Sequence, residues 1–202
     1  MRQRMGTTAM LAGLAVFVLS VAGIPAAGSG SPALADRDPN QYVGFGDSIT
    51  FGLGSFGYPP RLEALLIAKY GAAKVWNAGV GGETTSDGLA RFDYILSGTN
   101  SKYVLIMEGT NDGADLRIPV ETTAANLREM CRRAVAAGWT PVLATLLPRS
   151  DGIWYIQSYR IRFEEINARI RLIAADLGLT LCDAYAAFMD YPASSGGYTA
   201  LL

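Results

Sequence analysis

There is no histidine anywhere in the 202 residues. That removes the side chain most often used as a general base near neutral pH, and the commonest metal ligand. Any acid–base mechanism has to find its base elsewhere. Cysteine is nearly as scarce, with Cys131 and Cys182 alone, and the pair has no metal-site spacing. Charge is balanced: 17 Lys+Arg against 18 Asp+Glu give a net charge of −1, which offers no footing for nucleic-acid binding. Internal repeats and coiled-coil heptads are also missing. What remains is a chain that is 50% hydrophobic and long enough for one domain with a full core.

Residues 1–35 differ from the rest. Arg2 and Arg4 precede a near-continuous apolar run over 10–24, and Ala33-Leu34-Ala35 fits a small-x-small cleavage site before Asp36. This is the layout of a secretory signal peptide. The run is short for a membrane span, and no cysteine lies near it to carry a lipid anchor. The expectation is export with cleavage after Ala35, no stable membrane insertion afterwards, and a mature domain over 36–202. Cleavage removes Arg2 and Arg4 from the 17 basic residues, leaving 15 against 18 acidic ones. Export permits a disulfide. Cys131, however, shares a helical face with Leu127, Met130, Ala134 and Val135 and reads as a small buried hydrophobe.

Apolar runs alternate with amphipathic stretches along 42–182. The reading places strands over 42–45, 74–77, 103–107, 141–147 and 179–182. Helices are expected over 58–70, from a cap at Ser86 or Asp87 to about 97, over 120–137 and over 155–177, with a short helical segment from 183. Pro59 and Pro60 suit a first helical turn, and Gly71, Gly138 and Gly178 suit helix ends. Ile161, Ile166, Ile170 and Ile173 form the expected apolar side of the last long helix. Such alternation predicts an α/β three-layer sandwich with a five-stranded, mostly parallel, flavodoxin-like sheet. Ligands would bind at its switch point.

Three polar, glycine-rich stretches follow strands and so share one edge of that sheet. Gly46-Asp47-Ser48-Ile49 lifts a serine hydroxyl out of the sheet's end, or else is a turn that only caps a strand. Ala78-Gly79-Val80-Gly81-Gly82 exposes backbone N–H groups, and its spacing is not the G-x-G-x-x-G of a dinucleotide loop. Glu108-Gly109-Thr110-Asn111-Asp112 supplies an asparagine amide. A nucleophile with oxyanion donors is the set of parts that acyl transfer needs.

These stretches resemble the blocks of the SGNH (GDSL-type) hydrolases, a superfamily of esterases and lipases. Gly46-Asp47-Ser48-Ile49 matches the first block, with isoleucine for the more usual leucine. Asn77-Ala78-Gly79-Val80-Gly81-Gly82-Glu83-Thr84 matches the second, and Gly109-Thr110-Asn111-Asp112 the third. The resemblance covers 41–202. It implies Ser48 as nucleophile, with the backbone N–H of Ser48, that of Gly82 and the side-chain amide of Asn111 as the oxyanion hole. Asp47 and Asp112 would hold the loops in shape. Ser48 lacks the second glycine of G-x-S-x-G, which separates the chain from the α/β-hydrolases.

The family's last block, Asp-x-x-His, has no counterpart here: neither Asp183 nor Asp190 has a histidine three residues later. The glycine-rich ending over 196–202 resembles what precedes that block. The expectation is a sequence that stops a few residues short of it, and short of a closing helix. The other reading is a non-catalytic binding protein on the same fold. Lys69, Lys74 and Lys102 lie near no matched block, which argues against a Ser–Lys arrangement. No metal or organic cofactor is implied. The partner is an ester, either a small molecule or an acylated polysaccharide or lipid. Phe51, Phe56, Tyr58, Trp154 and Tyr155 are candidates to border its site. No long apolar lid is visible, so short acyl chains are expected.

Overall fold

The computed structural model describes residues 37–52, 57–148 and 156–190. The expected leader, Phe56, Trp154, Tyr155 and the glycine-rich ending lie outside these residues. Five strands form one sheet: β1 (Asp38–Gly46), β2 (Lys74–Gly79), β3 (Ser101–Met107), β4 (Thr140–Ala144) and β5 (Thr180–Cys182). Their spatial order is β2-β1-β3-β4-β5, and every pairing is parallel. This is the flavodoxin-like order, with its switch point between β1 and β3.

Parallel strands need crossovers, and helices supply them. In chain order they are α1 (Ser48–Phe51), α2 (Pro59–Tyr70), α3 (Thr85–Ser97), α4 (Thr110–Ala114), α5 (Val120–Ala136), α6 (Gln157–Asp176) and α7 (Ala184–Met189). Side chains alternate across the strands, so each strand feeds two cores. On one face Val43, Phe45, Val104, Ile106 and Leu143 pack with Phe92 of α3, Leu127 and Met130 of α5, and Phe163, Ile166 and Ile170 of α6. On the other, Tyr42, Leu105, Met107 and Val142 pack with Leu62 and Leu66 of α2 and with Ala184 of α7. Leu62 and Leu66 are fully buried, so truncating either to alanine removes about 2–5 kcal/mol.

Several sequence expectations shift. The cap of α3 is Thr84, not Ser86 or Asp87. Its hydroxyl accepts from the Asp87 N–H, while Asp87 reaches back to the Thr84 N–H. Asp87 is thus the fourth member of a capping box, inside the helix. β4 ends at Ala144 rather than 147, because its only partner beyond β3 is the three-residue β5. Val135 and Ile161 are exposed, not core-facing. Val135 sits one position after Ala134, a turn of about 100° that carries it off the buried stripe. Ile161 likewise falls outside the face set by Phe163, Ile166 and Ile170. Both cysteines are buried and free.

Candidate functional site

The turn after β1 is set by glycine and aspartate. A Cβ at Gly46 would collide with the Met107 carbonyl oxygen of β3 and the Thr50 hydroxyl, so only glycine lets α1 settle against the sheet. Asp47 then caps α1, its carboxylate accepting from the Ile49 N–H at 2.9 Å. Ser48 is the first residue of α1 and is half-buried. Gly52, at φ +93°, closes the element by donating to the Ser48 carbonyl at 2.8 Å. No hydrogen bond links the Ser48 hydroxyl to another described residue.

The loop after β2 is stitched to this turn. The Val80 N–H donates to the Gly46 carbonyl at 2.9 Å, and the Asn77 amide donates to the Phe51 carbonyl at 3.3 Å. A Cβ at Gly79 would strike the Phe51 backbone. Gly82 is solvent-exposed with φ +78°, a left-handed conformation that glycine adopts without steric cost. Glu83, immediately after it, is buried, and its carboxylate is gripped by Arg91 of α3.

The segment after β3 brings the third part. The Asn111 side-chain amide donates to the Glu83 carbonyl at 2.6 Å. Asp112 is buried and accepts from the Thr85 N–H at 2.9 Å, the Thr85 hydroxyl at 2.5 Å and the Thr123 hydroxyl at 3.1 Å. Asp47 and Asp112 therefore shape loops, as expected. Ser48, Gly82 and Asn111 stand beyond the carboxyl ends of β1, β2 and β3, which are neighbours in the sheet. Hydrogen bonds connect the Asn111 segment to the Gly82 loop, and that loop to the serine turn.

The lysines stay away from this edge: Lys74 and Lys102 lie at the opposite ends of β2 and β3, and Lys69 stacks on Tyr70. Tyr58 does not border the site; it is buried in the second core. Phe51 is exposed beside the turn. Two buried arrangements of ionisable side chains were not legible in the sequence. One is the Arg91–Glu83 pair, which looks like ordinary surface charge flanking a helix start. The other is Glu108, fully buried after β3, whose carboxyl oxygens have no hydrogen-bond partner among the described residues. Burial, reinforced by Asp47 and Glu83, pushes its carboxyl up to about 10. The only signal for Glu108 was an acid placed directly after a continuous apolar strand.

Comparison with known proteins agrees with this architecture. The model of the GDSL-like Lipase/Acylhydrolase family matches residues 45–200. The Uncharacterized lipoprotein YqeF of Bacillus subtilis is 34% identical over 126 residues, covering 57% of this chain and 52% of the relative. Esterase TesA of Pseudomonas aeruginosa is 33% identical over 118 residues, covering 56% of this chain and 58% of the relative. The chain thus spans about half the length of the curated relatives it matches. Among solved structures, the lipase/acylhydrolase from Enterococcus faecalis is similar with a TM-score of 0.65 and 31% identity, over 77% of this chain and 82% of that one.

Proposed function

The chain belongs to the GDSL-like lipase/acylhydrolase family, and from that premise we propose that it hydrolyses carboxylic esters with Ser48 as nucleophile. The hydroxyl attacks the acyl carbonyl. The developing oxyanion accepts hydrogen bonds from the backbone N–H groups of Ser48 and Gly82 and from the Asn111 amide. The alcohol leaves, and water then hydrolyses the acyl-enzyme. The observation that carries this reading is the convergence of the three segments on one sheet edge, tied by the Val80–Gly46 and Asn111–Glu83 hydrogen bonds.

Attack needs a group that takes the serine proton. The 202 residues contain no histidine, so this reading draws the base from an Asp-x-x-His segment of the full gene product. The 202 residues alone are then close to inactive, since loss of one triad member leaves only about 10³–10⁴-fold catalysis over water. The apolar leader-like segment supports export, which directs the reading to extracellular esters such as acetylated polysaccharide or lipid. The exposed Phe51 beside the serine turn suits a short acyl group. No metal or organic cofactor takes part. Among the described residues no helix is long and apolar enough to cross a membrane.

A second reading, a non-catalytic extracellular binding protein on the same fold, is favoured by one observation: the Ser48 hydroxyl meets no base among the described residues. The test is hydrolysis of p-nitrophenyl acetate by the full gene product, by its Ser48→Ala variant and by the 202-residue chain. The expected result is turnover by the first only. Turnover that survives Ser48→Ala refutes the nucleophile. Ester binding without turnover by the full product supports the second reading.

A further inference from the structure

We propose that the Arg91–Glu83 ion pair is the positioning device of this site, holding the Asn111 amide and the Gly82 loop in register with the Ser48 turn. The inference rests on the ester-hydrolase reading above. One guanidinium contacts the end of the serine strand, the end of β2 and the Glu83 carboxylate. Its Nη2 donates to the Ala78 carbonyl at 2.9 Å, at the end of β2, and reaches the Gly46 carbonyl at 3.5 Å, two residues before Ser48. Nε donates to Glu83 Oε1 at 2.5 Å, and Nη2 pairs with Glu83 Oε2. The guanidinium carbon lies 4.2 Å from the centre of the Phe45 ring, a cation–π contact on the core side.

The link continues through the Glu83 backbone. Its carbonyl accepts one N–H of the Asn111 amide. A primary amide has two N–H groups in one plane, so engaging the first sets the direction of the second. Asn111 thereby donates in a direction dictated by Glu83, and Glu83 is held by Arg91. Gly82 precedes Glu83 and moves with it. The pair is largely removed from water, with side-chain exposures of 23% for Arg91 and 3% for Glu83. A desolvated bidentate pair is geometrically strict, and a lysine ammonium, a point charge with rotatable donors, does not reproduce the planar fork. Neither side chain touches the position of a reacting atom, so both act through Asn111 and the Gly82 loop.

The test uses the full gene product and p-nitrophenyl acetate. Arg91→Met and Arg91→Lys are expected to lower kcat about 10- to 100-fold, the scale of a misaligned oxyanion donor, with KM within about twofold. Glu83→Gln, which keeps one acceptor oxygen, falls less. The double variant Glu83→Gln/Arg91→Met falls no further than Arg91→Met, because both changes break one link. Arg133→Met, which removes a surface pair with Asp93 and Glu129, leaves kcat unchanged. A purely structural pair would instead lower the melting temperature and leave the kcat of the folded fraction intact. An Arg91→Met kcat within twofold of the parent overturns the inference. Should Arg91→Met fail to fold, Glu83→Gln decides by the same criterion. A second readout needs no turnover: in the ¹⁵N-labelled chain the Asn111 side-chain N–H pair, assigned by Asn111→Ala, is expected to shift in Glu83→Gln. An unmoved resonance overturns the inference as well. Hydrolysis that survives Ser48→Ala would sink the ester reading instead. A dead Ser48→Ala beside a fully active Arg91→Met would sink this inference alone.

Discussion

Replacing Glu108 by glutamine should change how stability depends on pH. Glu108 follows Met107 at the carboxyl end of β3 and is fully buried, with no hydrogen-bond partner among the described residues. Burial raises its carboxyl from 4.5 to about 10, with Asp47, Glu83 and Asp112 adding to the rise and Arg91 opposing it. The folded protein therefore keeps the proton at neutral pH, while the unfolded chain releases it near 4.5. The sign follows from linkage: the contribution of the protonated form is complete below 4.5 and is lost as pH climbs toward 10. The slope across that window is about 1.4 kcal/mol per pH unit, or about 4 kcal/mol between pH 5 and pH 8. That is a large share of the ~5–15 kcal/mol that holds a domain folded. Glu108→Gln stays neutral throughout and removes the slope. Carboxylates that folding pulls down, such as Glu63 with its bond from the Val75 N–H, act at and below about 4.5 with the opposite slope, so they add little between pH 5 and 8 and are common to parent and variant. The assay is urea unfolding of both proteins at pH 5, 6.5 and 8. The variant should gain about 4 kcal/mol on the parent across the series. A difference that stays constant within about 1 kcal/mol would refute the reasoning.

Gly46→Ala forces a methyl group into the Met107 carbonyl and the Thr50 hydroxyl. Backbone cannot yield cheaply, so about 3 kcal/mol of stability should go, a fall in Tm of about 6–12 °C by differential scanning calorimetry. Gly81→Ala, where a methyl group would meet open space, should stay within about 0.5 kcal/mol of the parent. The thiols of Cys131 and Cys182 are both buried, and burial raises each to about 12. Neither should react with a colorimetric disulfide reagent at pH 8 until denaturant is added, when both should; reaction in the native state would contradict their burial.

The strands were legible because buried parallel strands leave a plain mark, whereas their order followed only from the flavodoxin-like fold type and was given by the structure. Val104-Leu105-Ile106-Met107 and Val142-Leu143-Ala144 are continuous apolar runs; the first is closed by a polar loop, while Leu146 and Leu147 after the second made that strand look longer than it is. The helix ends at Gly71 and Gly178 were legible for an equally local reason, and both take positive φ. What escaped were elements without a period. α1 and α4 are four and five residues long, too short to display an apolar stripe. α1 forms because Asp47 caps it and Gly52 ends it, a signal that a glycine-rich loop hides. The cap at Thr84 was missed because three further cap-type residues, Thr85, Ser86 and Asp87, follow it. Only the reciprocal Thr84–Asp87 bonding distinguishes them.

The same contrast separates the three site residues from what supports them. Ser48, Gly82 and Asn111 sit in short motifs with fixed spacing, whereas Arg91 and Glu83 are an arginine and a glutamate eight positions apart that give no sign of meeting. Their burial is informative nonetheless. Among the described residues, the carboxyl side chains that are nearly or fully buried, Asp47, Glu83, Glu108 and Asp112, follow the carboxyl ends of β1, β2 and β3. Thr50, Thr85 and Thr110 are buried at the same edge. At the opposite edge of the sheet, Ser101 is the one buried polar residue at a strand end among those described. A core selected for stability alone has no reason to gather acids at one end of three adjacent strands, since each desolvated carboxyl costs free energy. Rules of local consistency are expected to fail where a protein works. Here they fail on the side of the sheet that carries the serine, around an arginine that joins two of its loops and a glutamate that receives the third.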